Sequence, residues 1–377
     1  MKNRFRTILL GSLGGLLGVV GLLVGYVGWH SPGRTTPIMG PDGRALPRSI
    51  ARWQPVRING TTQWLLMRGQ DSTRPVLLFL HGGPGLPELS LLTGSPLEKQ
   101  FVVVNWEQRG AGKSYDPAVF DSTFTVGTFV DDAAEVSRWL MHHFPGPDGR
   151  PAKPYVLAHS WGTFLGLLTV RKHPELFRAL FCVGQIARQL EAEQLSYDWV
   201  LAEAGRRGED GRVARLRAWG RPPYPPGAWL DYLTGQRPIV ADYGGGMYRG
   251  NFYPLFIRSL LLCPEYTLTD KWHYGFGAQE SVRRLWPAVV ATDLGRTAPT
   301  LKVPYVLFQG VHDYQTPYPI ARRYFDHVAA PQKRLFTFPN SAHSPLFEEP
   351  DQFLRCFNQA LRQLPDSLRS DLGTPKP

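Results

Sequence analysis

Leu157-Ala158-His159-Ser160-Trp161-Gly162 sets a serine between an apolar run, Tyr155 to Ala158, and a helix-patterned one, Thr163 to Lys172. Small residues stand two before and two after it, Ala158 and Gly162. A sharp strand-to-helix turn needs such neighbours so that backbones can approach; it exposes the hydroxyl and aims a helix N-terminus at the reacting carbonyl. Outward from this turn, strands are expected at Val76 to Leu80, Phe101 to Trp106, Ala179 to Val183, Tyr305 to Gln309 and Arg334 to Phe338. A leading hairpin around Asn59-Gly60 fits Ile50 to Met67. These runs alternate with helical periodicity, the pattern of a mostly parallel α/β sheet flanked by helices. Thr128 to Phe144 reads as a helix opened by a Thr128/Asp131 capping box, with His142 and His143 capping its last turn. Phe353, Phe357 and Leu361 form the stripe of the last helix.

Beyond the Tyr305 to Gln309 strand, Gly310-Val311-His312-Asp313 puts a carboxylate in a strand-end loop, and Ser341-Ala342-His343-Ser344-Pro345 follows the last strand. The chain order serine, aspartate, histidine is that of α/β-hydrolases. Ser160 is a weak nucleophile until His343 accepts its proton, and Asp313 would fix the imidazole tautomer and stabilise the imidazolium. His312 shares the acid's own loop and is set aside. His81-Gly82-Gly83-Pro84-Gly85 follows a strand where a backbone donor can meet the substrate oxygen, which assigns the oxyanion hole to the N–H groups of Gly83 and Trp161. Gly112-Lys113-Ser114 is no phosphate loop, because Glu107 stands where that pattern needs glycine. No metal or organic cofactor is required.

His81 to Gly85, Glu107 to Ser114, His159-Ser160-Trp161-Gly162, Asp313 and His343 together resemble the proline iminopeptidase (prolyl aminopeptidase) group of α/β-hydrolases, from about Pro47 to Leu364. The resemblance implies a serine peptidase that removes an N-terminal residue, often proline, from short peptides, beneath a helical cap whose carboxylates hold the free amine. Glu191, Glu193, Asp198 and Glu203 lie near the cap's start, but the Trp-x-x-Trp-Glu cap pattern of those peptidases is absent, so none is assigned to binding. The alternative is a carboxylesterase or lactonase using the same triad on small esters.

The domain reading is an N-terminal segment 1–31, a core in two parts, 47–186 and 298–364, an inserted, mainly helical cap at 187–297, and a flexible tail, 365–377. The length of 377 residues and a 43% hydrophobic content exclude a disordered or fibrous chain. Cys182, Cys263 and Cys356 are too few for a disulfide scaffold and lack metal spacing. Thr7 to Trp29 is uncharged and long enough to span a bilayer, and Lys2, Arg4 and Arg6 precede it. This pattern favours a single-pass signal anchor with an extracytoplasmic body over a cleaved secretory leader, since Val27 to Pro32 is a poor cleavage site. Gly11/Gly15, Gly14/Gly18 and Gly21/Gly25 have helix-pairing spacing. Of the net charge of +11, three charges lie in residues 1–31, leaving +8 on a body whose basic residues are scattered. A solvated basic surface with no partner is the first expectation, and attraction to an anionic membrane surface comes before any contact with nucleic acid.

Overall fold

The computed structural model describes residues 2–369, with side chains from residue 15 onward except residue 16. Eight strands form one sheet: β1 (Ile50–Ile58), β2 (Thr61–Gly69), β3 (Val76–Leu80), β4 (Val102–Glu107), β5 (Tyr155–His159), β6 (Leu180–Val183), β7 (Tyr305–Gly310) and β8 (Lys333–Phe338). Their order is β1-β2-β4-β3-β5-β6-β7-β8. The β1/β2 hairpin and the β2/β4 pair are antiparallel, and every other pairing is parallel. Asn59 and Gly60 take positive φ at the hairpin turn, as its right-handed twist demands.

Alternate residues of the central strands enter two separate cores. Leu78, Leu80, Val104, Val156 and Ala158 face one layer, while Leu77, Phe79, Val103, Tyr155 and Leu157 face the other. Strands buried on both faces read as unbroken apolar runs, which is why they were legible. The helices are α1 (Lys2–Trp29), α2 (Leu89–Leu92), α3 (Val126–His143) and α4 (Trp161–Lys172); α5 (Gln189–Arg206), α6 (Asp210–Trp219), α7 (Trp229–Asp242), α8 (Phe252–Leu261), α9 (Leu268–Ala291) and α10 (Leu294–Thr297), all between β6 and β7; then α11 (Tyr318–His327), α12 (Pro345–Glu348), α13 (Pro350–Gln363) and α14 (Asp366–Arg369). Phe353, Phe357 and Leu361 of α13 pack on the second core, as their spacing foretold.

The capping box expected at Thr128 is not there. Thr125 is the N-cap, accepting from the Thr128 N–H at 3.3 Å, because Val126 and Gly127 already belong to the helix; Asp131 instead pairs with Lys172. His142 and His143 do cap the other end, each with Nδ1 on a carbonyl one turn back. The tail region opens with α14, whose Leu368 carbonyl accepts from Tyr155 Oη and Arg178; residues 370–377 lie outside the described residues. The three cysteines are free thiols.

Among the described residues no helix is long and apolar enough to cross a membrane. The run expected to do so, Thr7 to Trp29, is described in its backbone, whereas the surroundings of its residues 7–14 and 16, including Gly11 and Gly14 of the paired glycines, and of Lys2, Arg4 and Arg6 lie outside the described residues.

Candidate active site

β5 ends at His159 and α4 begins at Trp161, leaving Ser160 alone to turn the chain at φ 53°, ψ −118°. So strained a backbone persists only where its surroundings fix it. Here the Ser160 N–H donates to the Val183 carbonyl at 2.9 Å, and the Ser160 carbonyl accepts from the Thr163 N–H and hydroxyl. Gly162 permits the turn: a Cβ there would lie 2.0 Å from the Leu80 carbonyl oxygen. Ala158 keeps its Cβ in the core without conflict, so alanine serves where glycine is usual.

The acid and the histidine come from the ends of β7 and β8. Asp313 Oδ1 accepts from the N–H groups of Gln315 and Thr316, both at 2.8 Å, and Oδ2 accepts from Gln309 Nε2 and the Thr316 hydroxyl. That leaves Oδ2 2.9 Å from His343 Nδ1, so Nδ1 carries the proton and Nε2 is the basic atom. Two glycines let the loops close: a Cβ on Gly310 would lie 2.0 Å from the Ala342 carbonyl oxygen, and one on Gly184 within 3.0 Å of the His343 ring. Sequence reasoning missed Glu348, whose carboxylate gathers the N–H groups of Ala342, Ser344 and Tyr248. It clamps the histidine loop to the cap, and burial holds its carboxyl above the usual range.

The glycine loop after β3 abuts the serine, since a Cβ on Gly82 would lie 3.3 Å from Ser160 Cβ. His81 is buried and neutral, its affinity for a proton lowered to about 4 by burial; Nδ1–H donates to the Gly82 carbonyl and Nε2 accepts from the Gln108 N–H. The Gly82 N–H is already taken by Glu88 Oε2 at 3.1 Å. Gly83 follows on that loop, and the Trp161 N–H stands at the first position of α4, which has no partner within the helix. Glu88 was also missed: its other oxygen meets His159 Nδ1 at 2.6 Å, and both side chains are buried. Burial opposes charge on each, yet their mutual attraction holds His159 above and Glu88 below its ordinary value. The sequence marks His159 only as part of the motif around Ser160, and nothing near Glu88 marks that residue.

Glu107 explains the false phosphate motif. Its carboxylate accepts from Tyr266 Oη and the Lys113 N–H, against Gly112, and burial pushes it up to about 8. The four cap acids each face arginine: Glu191 meets Arg188 and Arg323, Asp198 meets Arg221, and Glu203 meets Arg206 and Arg207, all near the surface. Glu193 alone is fully buried, bound to Arg237 and Gln189. Among the described residues no acidic, histidine or cysteine cluster is arranged to hold a metal.

Comparison with known proteins agrees on the fold. The family described as alpha/beta hydrolase fold matches residues 75–350. The chain is 30% identical to the probable aminopeptidase YbaC of Bacillus subtilis, over 84% of this chain and 98% of that protein. Among solved structures, a proline iminopeptidase of Mycobacterium smegmatis superposes with a TM-score of 0.52 at 19% identity, covering 82% of this chain and 98% of its own. An esterase from Exiguobacterium antarcticum does so with 0.55 at 17%, covering 82% and 99%. At such identities these two likenesses speak for the fold alone.

Proposed function

Because the chain belongs to the α/β-hydrolase fold family, we propose that it is a serine hydrolase whose triad is Ser160, His343 and Asp313, and that it acts as an aminopeptidase of the proline iminopeptidase type. The observation that carries the chemistry is the Asp313 to His343 contact of 2.9 Å, on loops that converge on the strained Ser160 turn. Ser160 Oγ attacks the acyl carbon as His343 Nε2 takes its proton. The N–H groups of Gly83 and Trp161 hold the oxyanion, and losing one such donor costs about 10²- to 10³-fold in turnover. His343 then protonates the leaving amine, and a water that it deprotonates releases the acyl group from Ser160. The aminopeptidase assignment draws on the likeness to YbaC. Small-ester hydrolysis by a carboxylesterase or lactonase is the second reading, favoured by the arginine partner on each of the four cap acids. Hydrolysis of Pro-, Ala- and N-blocked Pro-arylamides and a short aryl ester, each beside Ser160→Ala, separates the two. Cleavage that needs the free amine establishes the peptidase; ester cleavage alone moves the assignment to esterase.

We also infer that α1 is a single-pass signal anchor with the catalytic body outside the cytoplasm. Its 28 residues measure about 42 Å at 1.5 Å each, and Leu17, Leu22, Leu23 and Val24 are exposed. Protection of the body from protease in intact cells, lost on lysis, would be expected of the reverse orientation and would overturn this one.

A further inference from the structure

The cap carries an apolar face that the site does not use. On α9, Leu268, Trp272 and Phe276 recur at every fourth residue and are all exposed, Trp272 to 71%. On α8, Leu255, Ile257 and Leu261 are exposed around the side opposite buried Phe256. The two helices meet, for Phe256 packs on Tyr274 with ring centroids 5.9 Å apart and Lys271 Nζ donates to the Leu261 carbonyl. Six large apolar side chains are therefore exposed on two adjoining helices of the cap. Contiguous faces of this kind mark interaction surfaces, whereas single exposed apolar residues do not.

What covers the patch follows from where α1 joins the body. A Cβ on Gly15, Gly18, Gly21 or Gly25 would meet nothing within 4 Å, but one on Gly28 would touch Leu268, the first residue of the α9 stripe. The chain leaving α1 is then tied to the α8/α9 turn: Lys271 Nζ donates to the His30 carbonyl and Ser31 Oγ, the Arg34 N–H to the Pro264 carbonyl, and the Thr35 hydroxyl to Glu265. Trp29, 84% exposed, stands at this junction. Exposed tryptophan at the end of an apolar helix marks the headgroup level of a bilayer. Charge agrees: from Asn251 to Gln279 the acids are Glu265, buried, and Asp270, paired with Lys113, whereas Arg258 is exposed.

We propose that the outer face of α8 and α9, namely Leu255, Ile257, Leu261, Leu268, Trp272 and Phe276, lies in the interfacial layer of the membrane that α1 crosses, holding the cap against the lipid surface. This rests on the reading of α1 as an anchor. Trp272 and Phe276 stand about 6 and 12 Å along α9 from the Leu268 junction, so the helix lies along the interface rather than leaving it. The same helix turns Tyr274, Gly277 and Ser281 inward: Tyr274 Oη donates to the Pro87 carbonyl, and Cβ atoms built on Gly277 and Gly85 would meet Gly110 and Ser281. Lipid contact on one side of α9 thus bears on the glycine loop beside Ser160 on the other.

The test uses the full chain, in a Cys356→Ser background, reconstituted in vesicles of zwitterionic and anionic phospholipid. Single cysteines at Leu255, Trp272 and Phe276 carry an environment-sensitive fluorophore, with Arg322→Cys on exposed α11 as the distant control and Leu22→Cys reporting the anchor. Expected is quenching at the three cap positions by lipids brominated near the headgroup end of their acyl chains, and none at position 322. Quenching at position 22 but not on the cap would overturn the proposal and leave the anchor standing; quenching at neither would sink both. Cap labels shielded from aqueous iodide yet insensitive to brominated lipid would assign the face to a second copy of the chain, which also overturns it.

Discussion

Replacing Glu88 by alanine takes away two bonds at once, that from the Gly82 N–H at 3.1 Å and that from His159 Nδ1 at 2.6 Å. Removing one member of a buried ion pair costs about 3 to 5 kcal/mol when the other stays charged. His159 can shed its proton, so the cost depends on pH, and the sign is fixed by the two shifts. The histidine, held above 6.5, contributes stability that is fully present below that value and lost as pH rises through its folded pKa. The carboxylate, held below 4.5, contributes stability that is present above that value and lost as pH falls through its folded pKa. The deficit of Glu88→Ala is therefore greatest between pH 4.5 and 6.5 and shrinks above it. Glu88→Gln retains one acceptor and should lose less. Urea unfolding of the full-length protein in detergent, followed by near-ultraviolet circular dichroism at several pH values, reads this difference. Catalysis is the second readout: Gly82 precedes the proposed oxyanion donor, and freeing its N–H should lower kcat by about 10- to 10²-fold with KM little changed. A Glu88→Ala protein with the wild-type midpoint throughout that pH window and unaltered kcat would refute the idea that the pair fixes the loop.

Ser160→Ala should abolish turnover and labelling by a fluorophosphonate, and Asp313→Asn should lower kcat by roughly 10⁴-fold with folding intact, because the Gln315 and Thr316 N–H groups still hold the remaining side-chain oxygen while the amide nitrogen faces His343. Wild-type rates in either variant would remove that residue from the mechanism. Gly162→Ala puts a methyl group 2.0 Å from a backbone oxygen that has no rotamer to escape into, so a loss of more than about 3 kcal/mol is expected in the same unfolding assay. Glu107 binds its proton more tightly folded, up to about 8, than unfolded, near 4.5; stability should fall as pH rises across that window, by at most about 1.4 kcal/mol per unit. Glu107→Gln should flatten this slope, and an unchanged slope would show that Glu107 titrates normally.

The sheet and the positions of the three proposed catalytic residues could be read from the chain because each rests on local pattern. Val76 to Leu80 and Tyr305 to Phe308 are buried on both faces, so these stretches are apolar throughout. Ser160 follows β5 directly, and Asp313 and His343 stand in the short loops after β7 and β8, where a strand end fixes a position as few other features do. Glu88 and Glu348 left no such trace. Each acts by accepting N–H groups from a loop distant in sequence or in a neighbouring turn, and any acid in any loop could do the same. The Thr125 cap went unseen for a related reason: Thr125 and Thr128 compete for one role, and only the entry angle of Val126 and Gly127 decides between them.

Specificity is written differently from catalysis in this molecule. The catalytic groups are held by backbone N–H groups and glycine-sized clearances, which the strand register fixes. The cap instead balances charge inside itself. Glu193 is the one fully buried acid near the cap's start, and Arg237 already neutralises it. A substrate ammonium could bind there only by displacing the guanidinium or sharing the carboxylate with it, and a buried cation left without its anion is costly. A substrate without a free amine would meet no such competition. Under the proposed aminopeptidase reading, amine recognition would turn on the Glu193 to Arg237 pair. Free and N-blocked arylamides, identical at the scissile bond, differ in that one interaction, and a preference for the free amine would show that the pair opens.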